Sequence, residues 1–431
     1  MNNSLIFKSI SIQIISFLVI VMLGTSLVIH KAAGYSALLI LLISLLGLWV
    51  TRKEAGPKWQ SWEKWWIFSI LLFFGLIVVD VLMGYGDISV LDSPSRLMLA
   101  IPVFVYIRKV GVDIDSVWVA SAIGAVLSGV YAYYQHDVLG LNMAQGFTSH
   151  IYFGQIALVL TFFSFIGLMM NKKIWVKGLL LVAVIVGFYA VLVSGSRGGW
   201  VAIPAVVALF LSVKAGKSSI GTKIISISLL TAVLYAAYQA PQLPVKSRVD
   251  AAVNNVIAYY QEDQVNTSSG FRLEMWKAAW LMTQDSNFLG VGEAQYHANL
   301  IKLIKESKVD ERLDYFSAPH SQYFNSLVEQ GAIGLFSLML MILIPLKVAI
   351  KVIKRDGKNK YIGLFISVLI VSYLDFMLTA DTLERQLMVL MYAFIISILM
   401  GGLSYSKLNE NSTGQYRKNM ERWRKTNFIH D

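Results

Sequence analysis

Three stretches of the sequence place a cation or a histidine among small residues at the edge of an apolar run. The first, SGSRGGW, sets Arg197 between serines and glycines. A turn of this composition can point backbone N–H groups at an anion, and the planar arginine fork matches phosphate oxygens. The stretch lacks the spacing of a nucleotide-binding P-loop. We therefore predict that Arg197 binds a phosphate group, with an arginine reaching for lipid headgroups as the alternative.

The second stretch, TSSGFRLEMWKAAW, predicts a helix that starts at Ser268, Ser269 and Gly270 and holds Arg272 in its first turn. A cation at this position opposes the helix dipole. An anion bound at the helix start removes the conflict, so Arg272 is a second candidate for phosphate binding. The alternative is a solvated arginine on the surface of an amphipathic helix.

The third stretch, SAPHSQYFNSLVEQG, carries a candidate base. Pro319 and Ser321 indicate a helix entry, and the spacing places His320, Tyr323 and Phe324 on one helical face. Unperturbed imidazole has a pKa of about 6.5, so a neutral base is available at neutral pH. A lone histidine at a helix start is more often structural than catalytic, so the residues alone leave open whether His320 is a general base or a structural histidine.

Arg96, in DSPSRLMLAIP, is a further candidate at the start of an apolar run. The sequence contains no cysteine, no HExxH motif and no aspartate pair spaced for a divalent metal. We therefore expect arginine and lysine, rather than a metal ion, to neutralise a bound diphosphate. No cofactor is expected.

The elements that carry these residues are apolar runs typical of membrane spans. The chain has 431 residues, of which 56% are hydrophobic and 15% charged, and its mean hydropathy is +0.61. A soluble domain carries about 25% charged residues, so the composition favours an all-α polytopic membrane protein. A span needs roughly 20 apolar residues, and about twelve runs qualify. They centre on Phe17, Leu42, Phe73, Pro102, Ile123, Leu160, Val184, Val206, Leu230, Leu340, Ile366 and Ile396.

The distribution of basic residues sets the orientation. With the N-terminus inside, 25 of the 37 lysines and arginines fall in cytoplasmic segments, which predicts cytoplasmic termini. The net charge of +11 therefore indicates membrane topology and not nucleic-acid binding. We expect residues 1–238 to hold nine spans, 239–320 to form a helical periplasmic loop, 321–405 to hold three spans and 406–431 to form a basic cytoplasmic tail.

The long loop is predicted to hold amphipathic helices. One face of KSRVDAAVNNVIAYYQED gathers valines, an isoleucine and a tyrosine, and AQYHANLIKLIKESK gathers Tyr296, Leu300, Leu303 and Ile304. Such helices either lie on the membrane surface or pack on the bundle. Both arrangements are left open by the sequence.

Taken in order, SGSRGGW, then GFRLEMWKAAW with NFLGVGEAQYH, then PHSQYFNSLVEQGAIGL resemble the O-antigen ligase and polymerase superfamily of bacterial inner membranes. The resemblance covers residues 192–335, and SPSRLMLAIPVFVY extends it toward the N-terminus. It implies that His320 is the catalytic base and that Arg197 and Arg272, with help from Arg96, bind a diphosphate.

The resemblance further implies a metal-independent, inverting glycosyltransferase. Its donor is a glycan carried on undecaprenyl diphosphate, its acceptor is lipid A–core, and its active site faces the periplasm among membrane lipids. His320-Ser321-Gln322-Tyr323 has the form of the ligase pattern, and no glycine follows Arg197 or Arg272 at the eleven-residue spacing of polymerases. These features favour an O-antigen ligase.

Two alternatives remain open at this point. An O-antigen polymerase of the same superfamily uses the same carrier chemistry. A transporter for lipid-linked glycan would place charged residues in the middle of its spans and show inverted repeats. The charged candidates here lie at span ends and in one loop, with Asp80 and Asp375 as possible exceptions.

Overall fold

The computed structural model describes residues 3–54, 56–200, 202–215, 245–262, 264–354, 357 and 359–427, with isolated positions between 221 and 239. Throughout these residues the regular structure is helical and no strand occurs. The predicted all-α class is therefore confirmed.

The α-helices of the described residues are numbered here in chain order. They are α1 (Asn3–Gly24), α2 (Ala32–Val50), α3 (Ser61–Leu82), α4 (Asp92–Val110), α5 (Asp115–Tyr133), α6 (His150–Met170), α7 (Ile174–Val193), α8 (Ala202–Ala215), α9 (Val245–Glu262), α10 (Ser268–Asp285), α11 (Tyr296–Lys305), α12 (Gln322–Glu329), α13 (Gly331–Ile353), α14 (Asn359–Thr379) and α15 (Gln386–Asn427).

Within the described parts of the chain, 10 helices are long and apolar enough to cross a membrane, namely α1 to α7 and α13 to α15. Each corresponds to a predicted span, because both the prediction and the helix depend on an apolar run long enough to cross a bilayer. The predicted span around Val206 is the shorter helix α8. The predicted span around Leu230 lies outside the described residues.

Three helices form the centre of the bundle. The apolar windows of α6 and α14 are 78% buried and that of α15 is 94% buried, whereas those of α1 to α5 are at most 50% buried. The outer helices turn large apolar side chains outward; Phe17, for example, is 61% exposed. An apolar outer surface around a buried centre is the arrangement that lipid requires. α15 also continues past its apolar part to Asn427.

The segment between α8 and α13 carries α9 to α12 and has a small core of its own. Met275 and Ala278 of α10 pack with Tyr296, Leu300 and Leu303 of α11, all fully or nearly fully buried. The predicted apolar face of α11 is thus confirmed. The apolar face of α9 is different, since its five large apolar side chains are between 38% and 72% exposed.

A buried ion pair joins helices at the bundle end opposite this segment. Arg108 near the end of α4 donates from Nε to Glu63 Oε1 in the first turn of α3 at 2.9 Å. The two side chains are 4% and 0% exposed. Ser404 of α15 also donates to Glu63. The pair therefore ties α3, α4 and α15 together.

Candidate active site

His320 lies in the connection before α12, and its backbone φ is 50°. This left-handed conformation is uncommon for residues other than glycine and persists only where surrounding contacts enforce it. The prediction that His320 shares a helical face with Tyr323 and Phe324 is therefore wrong, because α12 begins only at Gln322. The base candidate sits on a short connection and not on a helix.

Contacts on both sides hold the backbone around His320. The indole N–H of Trp276 on α10 donates to the carbonyl of Pro319 at 3.2 Å. On the other side, Ser321 Oγ donates to the carbonyl of Met377, near the end of α14, at 3.2 Å. Two helices that lie far apart in sequence thus fix the residue's position and stabilise its strained conformation.

The imidazole of His320 is oriented by a buried carboxylate. Its Nδ1 lies 3.2 Å from Asp381 Oδ2, and the side chain of Asp381 is fully buried while that of His320 is 39% exposed. A carboxylate only accepts hydrogen bonds, so Nδ1 carries the hydrogen and Nε2 keeps its lone pair. The ring of Phe316 meets the imidazole edge-on at 5.6 Å. A nitrogen with a free lone pair on a fixed ring is what a general base requires.

The loop of residues 380–385, which joins α14 to α15, supplies this carboxylate and was missed by the sequence reasoning. The backbone N–H of Leu383 donates to Gln322 Oε1 at 2.8 Å, which docks the loop onto the start of α12. Asp381, Glu384 and Arg385 are three charged residues in one short turn between two apolar spans. That concentration of charge was the available signal.

The turn that carries Arg197 reaches the same end of α14. Arg197–Gly199 form a 3₁₀ turn, and a Cβ at Gly198 would lie 2.6 Å from Thr379 Oγ1. Ser194 and Ser196 are buried, so the serines and this glycine serve close packing rather than an open anion cradle. The side chain of Arg197 lies outside what the structure describes, and its role in binding phosphate stays a prediction.

Arg272 lies one helical turn before Trp276, which holds the connection to His320. Thr267 caps α10, since its Oγ1 accepts from the N–H of Gly270 at 2.9 Å, and the predicted helix start is confirmed. The guanidinium of Arg272 folds back over this start, with Nη1 3.2 Å from Ser268 Oγ. A cation at a helix N-terminus is unfavourable by itself, and an anion there would stabilise it.

Arg96 lies on the wall of a cavity of about 1100 Å³ beside the His320 connection. Its guanidinium pairs with Asp92 at 3.3 Å, four residues earlier on α4. Ser317 and Ala318, just before Pro319, line the same cavity. The structure thus brings all four predicted positions to one end of the bundle. Arg96 lies on α4, whereas Arg197 lies in the turn after α7 and Arg272 lies on α10.

Three glutamate carboxyl groups also line this cavity: Glu293, Glu329 and Glu384. Burial raises the pKa of Glu293 to about 7, and the nearby charge of Asp80 adds to the effect. Burial also raises the pKa values of Glu329 and Glu384 well above the usual range of a carboxyl group.

Amide side chains connect these carboxyl groups. Asn325 Nδ2 donates to Glu329 Oε2 at 2.7 Å and also to Glu384. Gln330 Nε2 donates to Glu293 Oε2. Among the residues that the structure describes, no group of three or more acidic or histidine side chains is arranged to hold a metal ion.

The two aspartates that the sequence raised as exceptions both stabilise backbone. Asp375 on α14 accepts from the N–H of Ala202 at the start of α8, at 3.0 Å. Asp80 on α3 accepts from the N–H of Glu293 at 3.2 Å. Each carboxylate therefore joins a span to another segment of the fold.

Comparison with known proteins bears directly on this site. Residues 182–339 match the family model described as O-antigen ligase. This segment of the chain is therefore similar to the O-antigen ligase family. A relative from Haemophilus influenzae, described as an uncharacterized protein, is 29% identical over 342 residues, which cover 78% of this chain and 85% of the relative.

The matched segment contains three of the four predicted site residues, namely Arg197, Arg272 and His320. Asp381 and Arg96 lie outside the matched segment. The family match supports the O-antigen ligase and polymerase superfamily that the three motifs resemble. It does so independently of the contact between His320 and Asp381.

Proposed function

We propose that this protein is an O-antigen ligase of the bacterial inner membrane. It transfers O-antigen polysaccharide from undecaprenyl diphosphate to lipid A–core in lipopolysaccharide biosynthesis. The family match, the apolar helices and the site at one bundle end support this proposal. In the proposed orientation both termini are cytoplasmic, and His320 faces the periplasm, where both lipid-anchored substrates are accessible from the outer leaflet.

His320 is the proposed general base, and its contact with buried Asp381 is the observation that carries the proposal. Nε2 removes the proton from the acceptor hydroxyl as its oxygen bonds to C1 of the donor sugar. The bond between C1 and the phosphate oxygen breaks, and its electron pair leaves with the diphosphate. Asp381 stabilises the imidazolium that forms, and one direct displacement inverts the anomeric centre.

The leaving diphosphate needs positive charge on the side away from the base. Arg197 and Arg272 are proposed to bind its oxygens, and Arg96 is the third candidate. Charge stabilisation of this kind at a developing anion is among the largest contributions to catalysis. The reaction proposed here uses neither ATP nor a metal ion.

A reconstituted reaction tests the proposed class. Purified protein is mixed with undecaprenyl-diphosphate-linked O-antigen and lipid A–core, in EDTA and without ATP. We expect glycan attached to lipid A–core. Longer glycan still on the carrier would instead indicate a polymerase, and movement of the glycan across vesicles without a new bond would indicate a transporter.

The diphosphate residues have their own test. Arg197→Ala and Arg272→Ala are each expected to weaken both donor binding and transfer, because the lost charge contacts the diphosphate in the bound donor and in the transition state. Arg312→Ala is a matched control, since Arg312 is a solvent-accessible arginine paired with Asp310 in the same long loop. Unchanged donor binding in both site variants would contradict the assignment.

A further inference from the structure

The cavity beside His320 lies where several helices begin. The first residues of α2, α4, α6 and α15 all contribute to its wall, among them Ala33, Ser93, Tyr152 and Gln386. Each helix start presents unpaired N–H groups and the positive end of a dipole. The cavity therefore has a positive bias before any side chain is considered.

Cationic side chains add to this bias. Among the described short connections at this bundle end and the helix starts that follow them, the basic residues are Lys31, Arg96, Arg197 and Arg385. Three of the four line the cavity. Topology disfavours lysine and arginine on the side opposite the cytoplasm. Their concentration around one cavity therefore indicates a role in binding.

Of the three, Arg385 is the one prepared for a ligand. Its Nε donates to Tyr152 Oη at 3.1 Å, and its guanidinium lies 5.9 Å from the centre of the Tyr152 ring. Its two terminal nitrogens make no hydrogen bond to residues that the structure describes. Arg96, in contrast, is already paired with Asp92. Lys31, also on the wall, has no ion pair with the described residues.

The position of Arg385 in the chain relates it to the proposed base. It lies four residues after Asp381 in the 380–385 loop, so it belongs to the segment that orients His320. In a direct displacement the base and the acceptor hydroxyl lie on the face of C1 opposite the leaving diphosphate. A cation beside the base is therefore suited to an anion on the acceptor and not on the donor. This step rests on the proposed transfer reaction.

The carboxyl groups of this cavity suit a sugar. Glu293, Glu329 and Glu384 line the same cavity as the cations, and carboxyl oxygens accept hydrogen bonds from sugar hydroxyls. A ligand that carries phosphate beside hydroxyl groups would satisfy both kinds of group. A free arginine fork binds two phosphate oxygens at once.

We propose that Arg385, oriented by Tyr152 and assisted by Lys31, forms an anion subsite for a phosphate group of the lipid-linked acceptor saccharide. Arg197 and Arg272 are the main residues proposed to hold the donor diphosphate, whereas Arg96, the third candidate for that role, shares the cavity with Arg385. The subsite gives the enzyme a preference for phosphorylated acceptors.

Acceptor binding in the absence of donor tests this subsite. The full-length protein in nanodiscs is titrated with lipid A–core that keeps its phosphates, and with the same lipid after phosphatase treatment. Arg385→Gln is expected to weaken binding of the phosphorylated lipid about tenfold, the loss of one charge-assisted contact, and to leave the dephosphorylated lipid unaffected. Arg385→Lys keeps the charge but loses the planar guanidinium, so its affinity for the phosphorylated lipid should lie between those of the wild type and of Arg385→Gln.

Arg52→Gln is the matched control, because Arg52 is also an exposed arginine over an aromatic ring, 4.6 Å from the centre of Trp49, but at the other end of α2. It should bind both lipids like the wild type. Excess inorganic phosphate is then added to the titration. It would weaken lipid binding at a site for free phosphate and would leave lipid binding unchanged at a site that needs the lipid.

Two outcomes would overturn the subsite. Equal loss of binding for both lipids would make Arg385 structural, and weakened binding of the undecaprenyl-diphosphate donor would assign it to the leaving group. The titration measures binding alone. A protein that transfers no glycan at all would therefore refute the proposed function without changing this result.

Discussion

At each end of the helix bundle a basic side chain contacts a buried carboxylate, and the two contacts are built differently. At one end Arg108 and Glu63 are 2.9 Å apart with 4% and 0% of their side chains exposed. At the other end His320 and Asp381 are 3.2 Å apart, and the imidazole is 39% exposed. Both pairs connect elements that are distant in sequence, but only the second opens outward.

The difference lies in how completely each pair is satisfied. Arg108 Nη2 donates to the carbonyls of Pro57 and Lys58, and its guanidinium lies 4.1 Å from the centre of the Trp59 ring. Its side chain is 4% exposed and therefore not accessible to a ligand. The imidazole of His320 contacts Asp381 only through Nδ1, so Nε2 remains available. A closed pair holds helices together, whereas a half-open pair can exchange a proton.

Cutting the closed pair should have the largest effect on stability. Arg108→Met leaves the Glu63 carboxylate buried without its cation, which we expect to lower the free energy of unfolding by about 3–5 kcal/mol. The transfer rate per folded molecule should stay within twofold of the wild type. Chemical denaturation in micelles, with activity normalised to folded protein, measures both quantities.

The double variant Glu63→Gln/Arg108→Met is the control for this first prediction. Removing both charges takes away the unpaired carboxylate, so much of the lost stability should return. Stability as low as in the single variant would show that Arg108 acts through packing rather than charge.

Cutting the open pair should instead affect the rate. Asp381→Asn no longer offers a carboxylate to Nδ1–H or stabilises the imidazolium, so we expect transfer to fall by about 10²-fold while folding is preserved. Transfer rates normalised to the amount of folded protein measure this change.

Asp310→Asn provides a matched control in the long loop, where Asp310 pairs with Arg312. Its transfer rate should match that of the wild type. A purely structural role for Asp381 would appear as a lower amount of folded protein with an unchanged transfer rate per folded molecule.

The smallest expected effect concerns Glu293, a buried acid without a cation partner among the described residues. Its pKa of about 7 lies above the usual 4.5, so the folded state binds the proton more tightly than the unfolded chain does. The stability of the wild type should therefore fall as pH rises from about 4.5 through about 7. Glu293→Gln should melt about 1 °C higher at pH 8, equivalent to about 1 kcal/mol, with a smaller gain at pH 5.

Glu306→Gln tests whether this gain comes from burial. Glu306 is paired with Lys308 near the surface, and this contact lowers its pKa. The variant should gain nothing at pH 8. An equal gain in both variants would point to net charge as the cause.

The sequence predicted features that depend on local pattern. Apolar runs located ten spans, and the face formed by Tyr296, Leu300 and Leu303 packs as the helical spacing predicts. The start of α10 followed from Ser268, Ser269 and Gly270. These features rest on hydrophobic periodicity and capping, which act over a few residues.

The site depended on contacts that local pattern does not encode. His320 and Asp381 are 61 positions apart, and only the docking of the 380–385 loop on α12 brings them together. The left-handed backbone of His320 was also missed, because contacts from α10 and α14 enforce it against the residue's own preference. The glycine at 198 was interpreted as space for an anion, whereas close packing against Thr379 accounts for it.

Single-turnover transfer by His320→Ala tests the central claim most directly. Donor is bound first to wild type and variant at equal folded concentration, lipid A–core is then added, and ligated product is followed with time. We predict a rate lower by 10²–10⁴-fold with unchanged donor binding, the usual contribution of a general base. A variant that transfers within about tenfold of the wild type would contradict the role of His320 as base.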